Sequence, residues 1–449
     1  MKRTLLWKIL SFTLVTALLL AACTTAKPTP APTDQPTELP ASPQPAPTKL
    51  LRVWVQWGDN PQQIQTLFDK YTTATGIKVE VTAPLADDKI LPALTGSEPP
   101  DILVLSGGDL AKSFYKEGLV DELSGVIKAG NIDMADLYPA PLTQCQAGAK
   151  IVCLPWGTDA YALFWNKDMF EAAGLDPEKP PATMEELVEF ADKLTVVGTD
   201  GKIEQIGFIP NHSWSHMDLY VRNFGGFWYS DDGSALTVNS QPMIDASTWQ
   251  LQFFTKYGVD NIQAFSSGFG EYGSPDAPFY AGKVAMMVEG EWQTGPNFIS
   301  ALKPELNYGV VAFPPPASHP ERAKTIVNQG TAVVIPSGAK DKDASAKLLA
   351  WMMSPAIVAE EFCFNANLPT SKKAADDPCF KELGPKFQVF IDLMSSKNAF
   401  AVLSTPISLE LNDAMGAAEE QILLAGADPK KQLDAIQAEF EPKFIEAMK

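Results

Sequence analysis

The stretch Phe279-Tyr-Ala-Gly-Lys-Val-Ala-Met-Met-Val-Glu-Gly-Glu-Trp292 joins a short apolar run to an aromatic residue placed just after it. Residues Val284 to Val288 are uninterrupted apolar residues, a pattern typical of a strand buried on both faces. Gly290 ends the run, so Trp292 follows the strand in a loop. Because open α/β sheets bind ligands at strand ends, Trp292 is a candidate ligand residue. This stretch alone leaves open the alternative that Trp292 fills the core.

The composition excludes one large class of partner. The chain has 449 residues, of which 45% are hydrophobic and 20% charged, so it is globular in make-up and long enough for two or more lobes. Its formal net charge is -19, and Lys and Arg form no compact cluster. Nucleic-acid phosphates require a basic surface, so we expect no nucleic-acid partner.

The N-terminus has the pattern of an export signal. A positively charged start is followed by an apolar run, Ile9 to Leu20, that is too short to span a bilayer. The sequence Leu20-Ala-Ala-Cys23 resembles the signal of bacterial lipoproteins. This resemblance implies that residues 1–22 are a signal peptide and that Cys23 is lipidated and anchors the chain to the membrane. An export signal without lipidation is the alternative.

A spacer follows the lipidation signal. Residues 24 to 48 consist mainly of Pro, Thr, Ala and Ser and have no apolar periodicity. Such a segment cannot bury enough apolar surface to fold. We therefore predict a disordered spacer over residues 23–49 and a folded body from Leu50 onward.

The cysteines predict two disulfides. Setting Cys23 aside leaves four cysteines, which allow three pairings. Pairing neighbours closes the shortest loops and is favoured in an exported chain. A structural zinc site is the alternative, but there is no Cys-x-x-Cys and the three histidines lie far from the cysteines in sequence, so we expect no metal. The favoured pairs are Cys145 with Cys153 and Cys363 with Cys379.

The first part of the folded body alternates strands and helices. A strand from Leu50 runs to Trp57, Pro61 opens an amphipathic helix that Gly76 stops, and further strands follow at residues 77–81 and 99–105. This order predicts an α/β fold with a mainly parallel sheet. Trp57 and Asp109 each follow a strand, although Asp109 also suits a helix N-cap.

Several blocks further along the chain resemble one protein family. Leu154 to Leu175, with Pro180-Pro-Ala-Thr-Met-Glu-Glu-Leu directly after it, is similar to the crossover between lobes in the maltose-binding-protein-like solute-binding proteins of ABC importers. The stretch 279–292 resembles the Gly-Lys-x-Ala-Met-x-x-x-Gly-x-Trp motif of that family. Later blocks, such as Gly330-Thr-Ala-Val-Val-Ile-Pro, follow in the expected order. The resemblance covers nearly all of residues 50–449.

The resemblance implies a two-lobe periplasmic-binding-protein fold of type II. The ligand cleft would lie between α/β lobes that the chain crosses near 157–159, near Gly330 and near 365–368. The first lobe would comprise residues 50–158 and 331–366, and the second lobe residues 159–330 and 367–449. Both lobes are then discontinuous in sequence, and they would close over the ligand.

The same resemblance implies a set of ligand-binding residues. Trp292 matches the aromatic residue that stacks on a sugar in the family, and the other candidates lie in cleft loops or at crossings. For Trp156 a packing role remains equally open, whereas Trp54, Trp165, Trp228 and Trp351 lie in or beside regular segments and are predicted to pack. The candidates are Trp57, Asp59, Ser106, Gly107, Asp109, Trp156, Asp159, Trp214, His216, Trp292, Gln329 and Gly330.

The predicted function is capture of a sugar or oligosaccharide for an ABC importer. Tryptophan rings suit the apolar face of a pyranose, and Asp and Gln suit its hydroxyl rim. The partners would be the permease subunits and the membrane, and we expect a monomer without cofactors at the outer face of the cytoplasmic membrane or in the periplasm. Replacing Trp292 with alanine is predicted to abolish saccharide binding and leave the fold intact.

Two other functions would use residues of the same chain. A non-sugar solute such as a polyamine would use Asp59, Asp109 and Asp159 with the aromatic residues. A glycoside-acting enzyme would need paired carboxylates, such as Glu289 with Glu291 or Asp231 with Asp232. No nucleophile or metal motif accompanies these pairs, so we expect no enzyme.

Overall fold

The computed structural model describes residues 49–58, 60–402 and 405–448. The predicted signal peptide, the lipidation candidate Cys23 and all of the spacer except Lys49 lie outside the described residues. The strands are β1 (Leu50–Val55), β2 (Lys78–Thr82), β3 (Ile102–Leu105), β4 (Gln146–Ala147), β5 (Lys150–Ile151), β6 (Leu154–Asp159), β7 (Tyr161–Asn166), β8 (Val196–Val197), β9 (Ile203–Gln205), β10 (Met286–Gly290), β11 (Tyr308–Val311), β12 (Ile326–Val334), β13 (Leu368–Pro369) and β14 (Ala399–Ala401).

The helices surround these strands. They are α1 (Pro61–Thr75), α2 (Asp87–Thr95), α3 (Gly108–Lys116), α4 (Ser124–Ala129), α5 (Pro139–Gln144), α6 (Lys167–Ala172), α7 (Met184–Leu194), α8 (Met217–Asn223), α9 (Gln241–Tyr257), α10 (Val259–Ser266), α11 (Ile299–Leu302), α12 (Lys342–Met352), α13 (Pro355–Asn365), α14 (Lys372–Ala375), α15 (Pro378–Glu382), α16 (Pro385–Met394), α17 (Ser408–Ala425) and α18 (Pro429–Ala447).

Helix α1 shows how local sequence sets the element boundaries. Pro61 is its first residue, and the side chain of Asn60 caps it by accepting a hydrogen bond from the Gln63 N–H. Gly76 ends it in the left-handed conformation, at φ 73°. Both predicted boundaries are confirmed. Its apolar face is buried through Ile64, Leu67, Phe68 and Tyr71.

Two larger sheets form the framework. The first sheet has seven strands in the order β13-β6-β12-β3-β1-β2, with β14 paired to β12. The second sheet has three strands in the order β10-β7-β11. The prediction of a mainly parallel sheet is correct for β1, β2 and β3, and β14 is parallel to β12. Strand β12 is antiparallel to β3 and β6, β6 is antiparallel to β13, and both pairs of the second sheet are antiparallel. Antiparallel neighbours do not need the helical crossover that joins parallel strands.

The chain passes directly from one sheet to the other. Strand β6 belongs to the first sheet and β7 to the second, and only Ala160 separates them. Strand β10 pairs with β7 from Met286 to Gly290, two residues later than the predicted apolar run. Trp292 was predicted to lie in a loop, but Glu291–Thr294 form a short 3-10 helix, which starts beside the crossing because Gly290 pairs with Tyr161.

The core continues from the first sheet to the second. One cluster of buried residues contains Val53 and Trp156 of the first sheet together with Phe164 of the second. The ring of Phe164 is stacked on Tyr308, with ring centroids 5.9 Å apart, and lies 6.1 Å from Phe390 of α16. The predicted boundaries between the lobes stay a prediction.

The disulfides join the favoured pairs. Cys145 is bonded to Cys153, and Cys363 is bonded to Cys379. The second disulfide links α13 to α15, next to the point where the chain returns toward β13. In the part of the chain that the structure describes, no helix is long and apolar enough to span a membrane, and no group of three or more acidic, His or Cys side chains could hold a metal.

Candidate functional site

A cavity of about 320 Å³ lies where the chain crosses between the two sheets. It is bordered by the ends of β1 and β3, the β6–β7 crossing, the middle of β12 and the loop after β10. We call it the first cavity. Its lining residues are Trp57, Ser106, Gly157, Thr158, Asp159, Tyr161, Trp214, Tyr272, Trp292, Phe298, Gln329, Thr331, Phe362 and Asn367.

Three aromatic rings form a packed group on the side of the second sheet. The rings of Tyr161 and Trp214 are stacked, with centroids 5.5 Å apart and an interplanar angle of 13°. The ring of Trp292 meets both of them edge-on, at 5.3 Å from Trp214 and 6.1 Å from Tyr161. Such arrangements stabilise aromatic pairs and fix the ring planes. The cavity is thus bounded on this side by a rigid aromatic surface.

Gly290 explains how Trp292 reaches this position. A Cβ atom added at Gly290 would lie 2.2 Å from the Trp292 ring, far inside van der Waals contact. Only glycine lets the indole fold back over the end of its own strand. The Gly-Glu-Trp sequence is therefore required for the geometry of the cavity wall.

The hydroxyl of Tyr272 connects the two tryptophans to a buried carboxyl group. It accepts hydrogen bonds from Trp292 Nε1 at 2.7 Å and Gln293 Nε2 at 3.1 Å, with a longer one from Trp214 Nε1 at 3.4 Å. It donates to Glu289 Oε2 at 3.3 Å. Both indoles are therefore oriented by one hydroxyl group.

The opposite wall comes from the first sheet. Trp57 follows β1, and its ring lies 6.4 Å from that of the fully buried Trp156. Ser106 follows β3, and its backbone N–H donates to Gln56 Oε1 at 2.8 Å. The two strand ends are neighbours because β1 and β3 are parallel and paired. Their loops therefore face the cavity together, as expected for parallel strands.

Two side chains of the lining carry buried polar atoms without a hydrogen bond. They are Trp57 Nε1 and the hydroxyl oxygen of Tyr161, neither of which has a partner among the described residues. Burying such a group unpaired costs free energy, on the order of 1 to 3 kcal/mol. Trp57 belongs to the wall formed by the first sheet and Tyr161 to the wall formed by the second. A ligand that accepts a hydrogen bond from Trp57 Nε1 and also forms one with the Tyr161 hydroxyl would therefore contact both sheets.

Apart from Gly157, Phe298 and Phe362, the remaining lining has polar side chains, of which one is a carboxylate. Thr158 Oγ1 donates to the Gln329 carbonyl at 3.0 Å, and the Gly157 N–H donates to Thr331 Oγ1 at 2.8 Å. Asp159 supplies the carboxylate. The lining contains no Lys, Arg or His within the residues that the structure describes.

Two carboxyl groups lie beneath this lining. Glu291 is fully buried and accepts a hydrogen bond from the Ala160 N–H at 3.0 Å. Burial, and then the nearby charge of Asp159, hold the pKa of Glu291 well above its usual range. Burial also raises the pKa of Glu289 to about 7, although Ser213, Tyr272 and other donors oppose the shift. Neither carboxyl group lines the first cavity.

The second carboxylate pair proposed from the sequence is engaged on the surface. Asp231 forms an ion pair with Arg222 at 2.6 Å. Asp232 accepts hydrogen bonds from the hydroxyls of Ser230 and Ser234, at 2.6 and 2.7 Å. Both aspartates are therefore engaged with nearby side chains of the surface, and neither lines the first cavity.

The structure brings six of the predicted ligand residues together in the lining. They lie on six separate chain segments, which only the fold makes neighbours. The six are Trp57, Ser106, Asp159, Trp214, Trp292 and Gln329. Their contact with a ligand stays a prediction.

The structure corrects the placement of Trp156. Its side chain is fully buried beneath the cavity, its Nε1 donates to the Met352 carbonyl at 3.1 Å, and its ring meets Phe362 edge-on at 5.2 Å. It supports the wall that Trp57 and Phe362 form.

Other predicted residues lie near the cavity without lining it. Gly107 and Gly330 are absent from the described lining, and His216 lies behind Tyr161 and Trp214, at ring distances of 6.4 and 5.6 Å. Asp59 and the side chain of Asp109 lie outside what the structure describes. The four tryptophans expected to pack, at positions 54, 165, 228 and 351, contact the core clusters.

Eight lining residues were not among those predicted from the sequence. Tyr161 had a usable signal, because it is the second residue after the predicted crossing at 157–159. Tyr272 and Phe298 come from irregular loops whose positions depend on distant contacts, so no local pattern marks them. The missed residues are Gly157, Thr158, Tyr161, Tyr272, Phe298, Thr331, Phe362 and Asn367.

Comparison with known proteins gives one consistent result. A family model described as bacterial extracellular solute-binding protein matches residues 56–359. The sn-glycerol-3-phosphate-binding periplasmic protein of Shigella dysenteriae is 27% identical over 233 residues, which are 49% of each chain. The chain thus spans about half the length of this curated relative in the match.

Solved structures match over nearly the whole described chain. CpMnBP1 with mannotriose bound has a TM-score of 0.77 and 26% identity, covering 87% of this chain and 100% of that one. The same protein with mannobiose bound has a TM-score of 0.76 and 25% identity, covering 87% and 99%. The sugar-binding protein MalE of Xanthomonas citri has a TM-score of 0.70 at 16% identity, covering 89% and 98%, which shows the fold alone.

Proposed function

Because this chain belongs to the bacterial extracellular solute-binding proteins, we propose that it captures a sugar or oligosaccharide and delivers it to an ABC importer. Its fold is the two-lobe type II fold of periplasmic binding proteins. The observation that carries the proposal is the first cavity, which has aromatic rings on both walls and unpaired hydrogen-bonding atoms on Trp57 and Tyr161. Rings offer stacking surfaces to a pyranose, and the polar atoms suit its hydroxyls.

The charge of the lining favours a neutral ligand over a phosphorylated one. A phosphate group is usually held by Arg, Lys or a dense set of backbone N–H groups. The described lining has no cationic side chain, and Asp159 would repel an anion. For this reason we do not extend the glycerol phosphate ligand of the curated relative to this chain.

A cationic solute is the second candidate. Rings of tyrosine and tryptophan together with a carboxylate can hold an ammonium group by cation–π and charge attraction. Tyr161, Trp214, Trp292 and Asp159 all border the first cavity. A polyamine or a quaternary ammonium compound would contact these rings through cation–π interactions and Asp159 through charge attraction.

A thermal-shift series separates these candidates. Mannobiose or maltose at a hundred times its dissociation constant should stabilise the protein by about 2.7 kcal/mol and raise its melting temperature, whereas glycerol 3-phosphate should not. Spermidine and choline test the cationic alternative. A shift with either cation and none with any saccharide would contradict the sugar proposal.

Binding would act through closure of the lobes. A ligand that contacts Trp57 on one wall and Trp292 on the other favours the closed state because it gains both contacts only there. The permease would recognise that closed state. Lipidation at Cys23 would keep the protein at the outer face of the membrane. Binding and delivery of a solute involve no catalysed reaction. We propose that the protein acts as a monomer and without a cofactor.

Replacing Trp57 with alanine tests the two-wall contact. We expect a loss of saccharide affinity of about tenfold or more, since the first wall loses its stacking ring and its Nε1 donor. Small-angle scattering should also show a smaller ligand-induced decrease in radius of gyration. Trp54→Ala, on the same strand but packed in a core cluster, is the matched control and should keep wild-type affinity. Equal affinity losses in both variants would argue against a ligand contact by Trp57.

A further inference from the structure

A second cavity of about 240 Å³ lies beside the first and shares Tyr272 with it. Tyr272 is 54% exposed, which is unusual for an aromatic residue whose hydroxyl lies in a buried network. Of the ligand residues predicted from the sequence, those that the structure describes do not line this second cavity. Its lining residues are His212, Ser213, Gly270, Tyr272, Gly273, Ala277, Pro278, Phe279, Tyr280, Met287, Glu289 and Gln293.

The polar end of the second cavity is built from buried groups. Glu289 is 1% exposed and Gln293 is 2% exposed. Ser213 Oγ donates to Glu289 Oε1, and Tyr280 donates to Gln293 Oε1. Gln293 Nε2 also donates to Glu289 Oε2, at 3.3 Å. A carboxyl group held in this way inside an apolar surrounding is costly, and such groups concentrate at binding sites.

The backbone at Ser213 supports a binding role. Ser213 has φ 58°, in the left-handed region that residues other than glycine seldom adopt. This conformation places its hydroxyl on Glu289. Strained residues of this kind cluster at ligand sites. The neighbouring His212 is half-buried, its ring meets Phe269 edge-on at 5.2 Å, and burial lowers its pKa, so a neutral imidazole borders the cavity.

The other end of the second cavity is apolar. Ala277, Pro278, Phe279 and Met287 form this wall. A cavity with carboxylate, amide and imidazole groups at one end and an apolar wall at the other matches a pyranose, which has a hydroxyl rim and an apolar face. The Tyr272 hydroxyl links the two cavities, since it bonds Glu289 on one side and Trp292 on the other.

From these contacts we propose that the second cavity is a further saccharide subsite, so that the ligand spans both cavities around Tyr272 and is at least a disaccharide. This inference rests on the proposed function and specifies its substrate class. One sugar unit stacks in the first cavity. The next unit enters the second cavity, with its hydroxyls toward Glu289 and His212. A monosaccharide gains only part of these contacts and binds more weakly.

Two ladders of sugars test the proposal by calorimetry: mannose, mannobiose and mannotriose, and glucose, maltose and maltotriose. In the series whose sugars bind, the affinity of the wild-type protein should be about tenfold or more higher for the longer sugars than for the monosaccharide. This ratio of affinities is the quantity that the variants test. Ala277→Leu narrows the second cavity and should reduce that ratio about tenfold. Ala264→Leu, on the exposed side of α10, is the matched control and should keep the wild-type ratio.

A second variant tests the same subsite independently, in case Ala277→Leu does not fold. His212→Phe keeps a ring against Phe269 and removes both ring nitrogens, so it should also reduce the ratio of affinities. A monosaccharide that binds as tightly as its trisaccharide would overturn the second subsite and leave sugar binding intact. Unchanged ratios in both variants would overturn it as well. Binding of none of the six sugars would contradict the proposed function and this inference with it.

Discussion

Replacing Trp292 with alanine is expected to weaken saccharide binding by about 30-fold or more and to lower the free energy of unfolding by about 3 to 5 kcal/mol. The affinity falls because the cavity loses an aromatic wall and the bond that holds the Tyr272 hydroxyl. The stability falls because Trp292 is only 8% exposed and packs against Tyr161 and Trp214. The sequence predicted an intact fold, and the burial of Trp292 corrects this to a folded but less stable protein.

Two control variants separate the two effects of Trp292. Trp292→Phe keeps a ring but loses the indole N–H, so we expect an intermediate affinity and a smaller stability loss. Trp351→Ala removes a tryptophan that packs on Phe68 and Tyr71, away from both cavities. It should lower stability and leave affinity unchanged. Calorimetric titration and urea unfolding measure both quantities. Wild-type affinity in Trp292→Ala would place Trp292 in the core alone.

Replacing Glu361 with methionine is expected to stabilise the protein, with an effect that grows with pH. Glu361 lies in α13, is fully buried, and neither carboxyl oxygen has a hydrogen-bond partner among the described residues. Burial, and to a smaller extent the charge of Glu360, raise its pKa to about 8 from an ordinary value of 4.5. The fold therefore disfavours the ionised form.

The sign of the pH dependence follows from proton binding. Between about pH 4.5 and pH 8 the folded protein keeps a proton on Glu361 that the unfolded chain has released, so this group makes stability fall as pH rises. The cost levels off above pH 8, at an order of magnitude of 4 kcal/mol. Methionine has a similar volume and no polar group, so near pH 4.5 the variant should exceed the wild-type protein by about 1 to 3 kcal/mol, the cost of burying the unpaired neutral carboxyl group. By pH 8.5 the difference should grow by about 4 kcal/mol more.

Urea unfolding at several pH values measures this difference. Glu360→Met is the matched control, because Glu360 is adjacent, partly exposed and paired with Lys70 at 2.5 Å. Its replacement should change stability by no more than about 1 kcal/mol. A stability gain in Glu361→Met that is the same at pH 4.5 and pH 8.5 would show that Glu361 is not protonated in the folded protein.

Local patterns in the sequence were sufficient for several features of the fold. Pro61 and Gly76 bound the first helix as predicted, because capping and left-handed glycine act within one turn. The cysteines pair with their neighbours, as the shortest loops favoured. The resemblance of the blocks around 154–175 and 279–292 pointed to the family that the comparisons show. The order of these motifs along the chain indicated the family.

Sheet topology was only partly accessible from the sequence. The alternation of strands and helices near the N-terminus predicted parallel pairing, which holds for β1, β2 and β3. Strand β6 leads into the second sheet and β12 is formed when the chain returns from it, so their antiparallel pairing depends on segments far apart in the chain. Pairing direction there is decided by where distant segments meet, and the composition of a strand does not specify it.

The sequence by itself indicated the family, the export pattern and the strand whose end carries Trp292, and it favoured the disulfide pairing that the structure has. Only the tertiary structure decided that Trp156 lies beneath the cavity, that Tyr161 and Tyr272 complete its aromatic wall, and that a second cavity adjoins it around Glu289. The physical reason is the separation in sequence of the residues that interact. Caps, turns and the order of motifs act between near neighbours in the chain, whereas a cavity is formed by side chains from distant segments whose contacts depend on the packing of the whole fold.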